Sequence, residues 1–176
     1  MSIVISTPAP EQIEEALPQL ITLFQDAIAS GAALGFVPPL STEEASSFWQ
    51  RVQEGVRAGT VALFVAYHGS SQEIVGTVQL VLAPQSNGSH RADVAKMMVH
   101  RKARRLGIGR ELLRALEAKA AELGRTTLVL DTRQGDAAEL LYQSLDYQVA
   151  GAIPKYAQSG DGTLHTTVIY YKVLNA

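Results

Sequence analysis

The forty residues Ala92–Asp131, ADVAKMMVHRKARRLGIGRELLRALEAKAAELGRTTLVLD, decide how this chain is read. They begin with a strand-like run ending at Val99, and after a basic segment Ile108, Leu112, Leu116 and Ala120 recur on one face of a helix that Gly124 stops. TTLVLD (Thr126 to Asp131) is then a buried strand. Strand, helix and strand with a connecting helix of this length predict a right-handed crossover between two parallel neighbours.

On the N-terminal side, VALFVAY (Val61 to Tyr67) and IVGTVQLVLA (Ile74 to Ala83) read as an antiparallel hairpin joined by the polar HGSSQE. Farther upstream, Ile13, Leu17, Leu20, Ile21, Phe24 and Ile28 have helical spacing from Pro10 to about Ser30, with Pro18 as a kink or break. GAALGFVPPL (Gly31 to Leu40) is a loop, and Ser41 with Glu44 forms a capping box before a second helix carrying Trp49, Val52 and Val56. Two helices are therefore expected before any strand. Downstream come a short helix from about Asp136 to Leu145 and two strands, Tyr147 to Ala152 and Leu164 to Val173, with Asp161-Gly162 as the turn between them. No repeat or linker interrupts this order, which predicts one α+β domain over residues 1–176, built on a mixed sheet.

Composition narrows the function. The chain has 176 residues, 47% of them apolar, and no cysteine. A domain of that size buries about 70% of the surface its unfolded chain exposes, so its core needs no staples. Without cysteine there is no disulfide framework, zinc ribbon, iron–sulfur cluster or thiol nucleophile. The four histidines, His68, His90, His100 and His165, lack metal-ligand spacing, so no metal is expected; His165 reads as a turn residue. MSIVISTPAPEQIEE lacks the basic start and apolar core of a leader, and the longest apolar run is too short for a bilayer. These features predict a soluble cytoplasmic protein with no membrane partner. Net charge of −2 argues against a nucleic-acid partner, yet Arg101, Lys102, Arg104, Arg105 and Arg110 put five basic groups into ten residues, leaving −7 for the rest.

That basic knot contains Arg104-Arg105-Leu106-Gly107-Ile108-Gly109-Arg110 at the start of the crossover helix. Glycines permit close backbone approach, and a helix N-terminus offers unpaired N–H groups and the positive end of its dipole. Arginines there make electrostatic sense once an anion is bound, and a pyrophosphate satisfies all of it. A P-loop is excluded, because Arg110 and Glu111 follow Gly109 where Lys and Ser/Thr are required. A dinucleotide fold binding NAD remains a rival: Leu112 breaks its glycine pattern, but Asp131 imitates its ribose-binding acid.

The third anion-binding pattern, Arg-x-x-Gly-x-Gly after a strand, resembles the coenzyme A pyrophosphate loop of the GNAT N-acetyltransferases. Asp93-Val94-Ala95-Lys96-Met97-Met98-Val99 resembles the strand that precedes this loop in the family, with Arg101 replacing its usual proline. Ala138-x-x-Leu141-Tyr142 resembles its later helix, with Gly135 where asparagine is usual and Asp146-Tyr147 where Gly-Phe is usual. Within the superfamily, the chain is similar to the tabtoxin-resistance acetyltransferases at Gly31–Leu40, Asn87-Gly88, Arg91–Val94, Lys96–Val99, Leu130–Thr132, Gly135, Asp161–His165 and Ile169-Tyr170.

The resemblance implies a GNAT-type fold, a central mixed β-sheet with helices on both faces, and acetyl-CoA as cosubstrate. It implies cofactor binding by Arg104, Arg105, Leu106, Gly107, Ile108, Gly109 and Arg110, and pairing of the pantetheine arm with the backbone of Met97, Met98 and Val99. It puts Asp93 at the general-base position, makes Asp131 a second acid of the acceptor pocket that binds the cationic amine or takes the proton through water, and makes Tyr142 the proton donor to the departing thiolate. The loop Gly35-Phe36-Val37 would help close the acceptor site, and a place for His165 at the border of that site is the alternative to a surface or turn residue. A primary amine has a pKa of about 10, so a base must free its lone pair before it attacks. With no cysteine and no evident Ser-His-Asp set, direct transfer in a ternary complex is expected over an acyl-enzyme. The expected partner is a small-molecule amine, amino-acid-like or toxin-like; homodimer formation stays open. The alternatives are a non-enzymatic CoA sensor and a nucleic-acid binder using the same loop.

Overall fold

The computed structural model describes residues 3–69 and 71–175; Met1, Ser2 and Ala176, and Ser70 within the HGSSQE connection, lie outside the described residues. The elements in chain order are β1 (Ile3–Ser6), α1 (Pro10–Glu15), α2 (Leu17–Ala29), α3 (Thr42–Arg57), β2 (Val61–His68), β3 (Glu73–Leu82), β4 (Arg91–Val99), α4 (Ile108–Glu122), β5 (Thr127–Arg133), α5 (Ala138–Gln143), β6 (Gln148–Gln158) and β7 (Leu164–Val173). The strands form one mixed sheet in the order β1-β2-β3-β4-β5-β7-β6, in which the β4–β5 pair is parallel and the other pairs are antiparallel. This is the GNAT-type α+β fold expected from the sequence. It lacks the doubly wound parallel sheet that a dinucleotide fold requires.

Three expectations are corrected. A strand precedes the helices: Ile3–Ser6 pairs with β2 at the sheet edge, a long-range pairing that four residues cannot signal. The first helical run is two helices, because the chain breaks at Ala16 and Pro18 sits in the first turn of α2, where a missing N–H costs nothing. β6 extends to Gln158 rather than stopping at Ala152, because two register shifts let it continue past residues of poor strand propensity. The capping box is present: Ser41 Oγ accepts from the Glu44 N–H at 3.1 Å, and Glu44 Oε2 accepts from the Ser41 N–H at 3.0 Å.

Alternation along β2 and β3 sends side chains to two cores. Phe64, Val78 and Leu80 pack with Leu112 and Leu116 of α4, while Leu63 and Val65 pack with Leu20, Phe24 and Trp49 of α2 and α3. Each fully buried side chain of this kind contributes about 1.5–3 kcal/mol, which holds helices against both faces of the sheet.

The sheet splits where the site forms. β4 and β5 pair only through Arg91↔Thr127, Ala92↔Leu128 and Asp93↔Val129. Beyond those residues β4 follows β3 and β5 follows β7. The cause lies in β4: Thr77 faces Met98 but Gln79 faces Ala95, so β4 carries one extra residue, and Lys96 takes a left-handed φ of 53°. A bulge of this kind bends its strand, here away from β5.

Candidate active site

The split opens into a cleft of about 1070 Å³. β4 contributes Asp93, Lys96 and Met97, β5 contributes Asp131 and Arg133, and α5 contributes Tyr142. The loop Gly31–Pro38 and the β6–β7 hairpin close the other sides. Among the described residues, no three His, Asp or Glu side chains converge as a metal site, and no helix is long and apolar enough to cross a membrane.

Asp93 is the last β4 residue paired with β5, so its side chain stands at the head of the split. Desolvation by the cleft walls raises its pKa, Arg91 opposes that shift, and the charge of Asp131 adds to it. Asp131 Oδ2 lies 3.1 Å from Thr167 Oγ1, which also reaches the Thr132 carbonyl at 3.0 Å. Tyr142 is 6% exposed and its ring contacts Tyr147 and Tyr170. Burial, reinforced by the charges of Asp131 and Asp136, pushes its pKa well above the ordinary phenol value. The phenol therefore holds its proton at neutral pH and is a donor. Among the described residues none hydrogen-bonds to that hydroxyl, which leaves it available to a ligand.

The residues read as pantetheine-binding divide. Met97 lines the cleft, whereas the Met98 side chain is buried against α2 and α3. The Val99 carbonyl accepts from Arg104 Nε at 3.2 Å. On the β5 side of the split, the backbone of β4 beyond Asp93 has no strand partner among the described residues, which suits pairing with amides of an extended ligand.

The Arg104–Arg110 loop adjoins the cleft rather than lining it. Gly107 is the N-cap of α4 with φ 81°, a conformation that L side chains resist. A Cβ there would meet nothing within 4 Å, so the space beside it is open to a ligand. Among the described residues, the N–H groups of Gly107, Ile108, Gly109 and Arg110 have no protein acceptor, the four orphan donors that a helix start presents. Gly109 matters sterically: a Cβ there would lie 2.9 Å from Leu141 Cδ2 and 3.8 Å from Met97 Sδ, which sets the helix start against both α5 and the cleft wall.

The side chains of the basic knot are engaged more than the sequence suggests. Arg101 pairs with Asp26, whose carboxylate also accepts from the Arg101 N–H at 2.9 Å. Arg104 Nη2 reaches Ser30 Oγ at 2.5 Å, and Arg110 Nη2 reaches Ser144 Oγ at 2.8 Å. Lys102 and Arg105 have no side-chain partner among the described residues. Leu106 is 49% exposed and Ile108 is buried in the core.

Sequence reasoning missed several cleft residues. Lys96 reaches the cleft because of the bulge, and its Nζ donates to the Leu34 carbonyl at 2.6 Å. Burial lowers its pKa, with Asp131 acting the other way. His165 was not missed outright, since it takes the alternative to a turn position: it lines the cleft, and its Nε2 lies 2.7 Å from Ser159 Oγ, a contact the sequence does not signal. The S-x-x-x-x-x-H spacing carries no recognised signature, and hairpin pairing alone brings the two together. On β6, two residues more than β7 can match lie between Ile153 and Ala157, and Tyr156 in that bulge borders the cleft. Phe36 anchors its loop by edge-on contact with Phe24 at 5.1 Å.

Comparison with known proteins gives this geometry a context. The model of the acetyltransferase (GNAT) domain matches residues 59–149. The fold is shared with an N-acetyltransferase from Staphylococcus aureus Mu50 (TM-score 0.81, 19% identity, 99% of this chain and 100% of that one). It is shared with a ribosomal-protein-alanine N-acetyltransferase from Brucella melitensis (TM-score 0.81, 23% identity, 97% and 99%). It is also shared with the yncA protein of Salmonella typhimurium, whose structure holds its cofactor acetyl-CoA (TM-score 0.79, 14% identity, 100% and 96%). At these identities the likeness is one of fold.

Proposed function

This chain belongs to the GNAT acetyltransferase family, and from that premise we propose that it moves an acetyl group from acetyl-CoA directly to the amine of a small molecule within a ternary complex. The carrying observation is the split between β4 and β5, where Asp93, Asp131 and Tyr142 line one cleft beside the unpaired N–H groups of α4.

In this reading the pyrophosphate lies at the start of α4, and the pantetheine arm runs along the open backbone edge of β4 past Met97. The donors there and the open space at Gly107 support that fit. Asp131 attracts the cationic acceptor, and Asp93 takes its proton. The raised pKa of Asp93 supports this role, because a stronger base than an ordinary aspartate removes the proton more readily. The neutral amine then attacks the thioester carbon, the C–S bond breaks, and the Tyr142 hydroxyl donates to the departing thiolate.

The acceptor is read as amino-acid-like or toxin-like. Support comes from the stretches similar to tabtoxin-resistance acetyltransferases, six of which, Gly31–Leu40, Arg91–Val94, Lys96–Val99, Leu130–Thr132, Asp161–His165 and Ile169-Tyr170, contribute residues to the cleft. Thiol release from acetyl-CoA against amino acids, polyamines, aminoglycosides and tabtoxinine-like compounds tests the proposal. We expect thiol release with matched N-acetyl product for one class, and intersecting initial-rate lines when both substrates are varied. Acetyl-CoA binding without thiol release toward any amine would contradict it.

A further inference from the structure

Of the five lysines in the sequence, Lys96 alone lines the cleft among the described residues. Lys119 and Lys172 are ion-paired with Glu122 and Glu117, and Lys102 and Lys155 are exposed. Lys96 is half-buried, and among the described residues its Nζ has one hydrogen-bond partner, the Leu34 carbonyl. An ammonium carries three N–H donors. On losing a proton the nitrogen keeps its bond to Leu34 through one N–H and gains a free lone pair. Burial favours that neutral form, and the carboxylates of Asp93 and Asp131 line the same cleft and can receive the proton. An amine, a proton acceptor and a phenol donor therefore share one cavity before any external acceptor arrives.

We propose that Lys96 is an internal acetyl acceptor, which the protein modifies with acetyl-CoA when no external amine is bound. The inference rests on the acetyl-transfer reading above. The neutral Nζ adds to the thioester carbon, the N–C bond forms as the C–S bond breaks, and the nitrogen's proton passes to a cleft carboxylate. The thiolate takes a proton from Tyr142, which regains one from solvent, so the products are acetyl-lysine and free CoA thiol.

The modification has structural consequences. It removes the cation that opposes Asp131. It also alters one of the side-chain ties on the Gly31–Leu40 loop, which stands beside Arg133 Nη2 to the Gly31 carbonyl at 2.9 Å and Gln25 Nε2 to the Leu40 carbonyl at 3.2 Å. The amine is tightly seated, since a Cβ on Gly35 would already stand 3.2 Å from Nζ. An acetyl group there displaces the loop, and the modified protein turns over external amines more slowly.

The full chain is incubated with acetyl-CoA and no amine, then analysed by intact mass and peptide mapping. The expected result is one acetyl group on Lys96, absent in Lys96→Arg, which retains the charge and a donor toward Leu34. Gly107→Val should also slow it strongly, because modification depends on bound acetyl-CoA. Acetyl groups spread over Lys102, Lys119 and Lys155 at a rate unaffected by Gly107→Val would overturn the proposal as simple chemical acylation. An unmodified Lys96 in protein that acetylates an added amine would overturn it while leaving the broader reading intact. Protein that acetylates neither Lys96 nor any amine overturns both.

Discussion

Asp93 and Tyr142 sit in the same cleft, yet their environments predispose them to opposite proton transfers. Burial and nearby carboxylates hold Tyr142 neutral, which suits the proposed role of proton donor, while the raised proton affinity of Asp93 suits the proposed role of base. Tyr142→Phe is expected to lower turnover by about 10²-fold or more while leaving the melting temperature nearly unchanged, because the hydroxyl makes no hydrogen bond among the described residues. A thermal scan beside a rate assay checks both halves. Asp93 carries a stability cost that follows from its shift. Because its folded pKa lies above the unfolded value, the folded state binds the proton more readily, and stability falls as pH rises through that window. Asp93→Asn should therefore melt higher than the parent at pH 7, with the advantage disappearing at acidic pH below the raised value.

At the scale of elements, the start of α4 and the bulge in β4 shape the site. Gly107→Val forces a β-branched residue to φ 81° and fills the open space beside the helix donors. We expect acetyl-CoA to bind at least about tenfold more weakly, a change of roughly 1.4 kcal/mol readable by calorimetry. Gly109→Ala acts by another route. Its Cβ would press on Leu141, the neighbour of Tyr142, so a stability loss of about 1 kcal/mol should accompany slower turnover. The crossover unit was legible because its signals are local: an apolar helix stripe, a glycine stop and an arginine–glycine loop within forty residues. The bulge was not, since Lys96 reaches the cleft only through a register mismatch with β3 that no residue pattern announces. The Ser159–His165 contact was equally hidden, because it depends on how β6 pairs with β7.

Across the whole molecule, the mixed sheet holds two cores apart and leaves one seam, where the parallel pair separates. The sequence-based reading anticipated that Asp93, Asp131 and Tyr142 belong together, and the fold brings them to that seam from β4, β5 and α5. It did not anticipate that the basic decapeptide is partly absorbed into structure, with Arg101 on Asp26 and Arg104 on Ser30. Charge at the loop thus comes less from free arginines than composition implied, and more weight falls on backbone donors. The measurement that bears most directly on the central claim compares Asp93→Asn with the parent at saturating acetyl-CoA and its best amine, alongside the acetyl-CoA dissociation constant of each. Turnover about 10²- to 10⁴-fold lower with an unchanged dissociation constant is the result expected of a base acting on the acceptor. Unchanged turnover would contradict it.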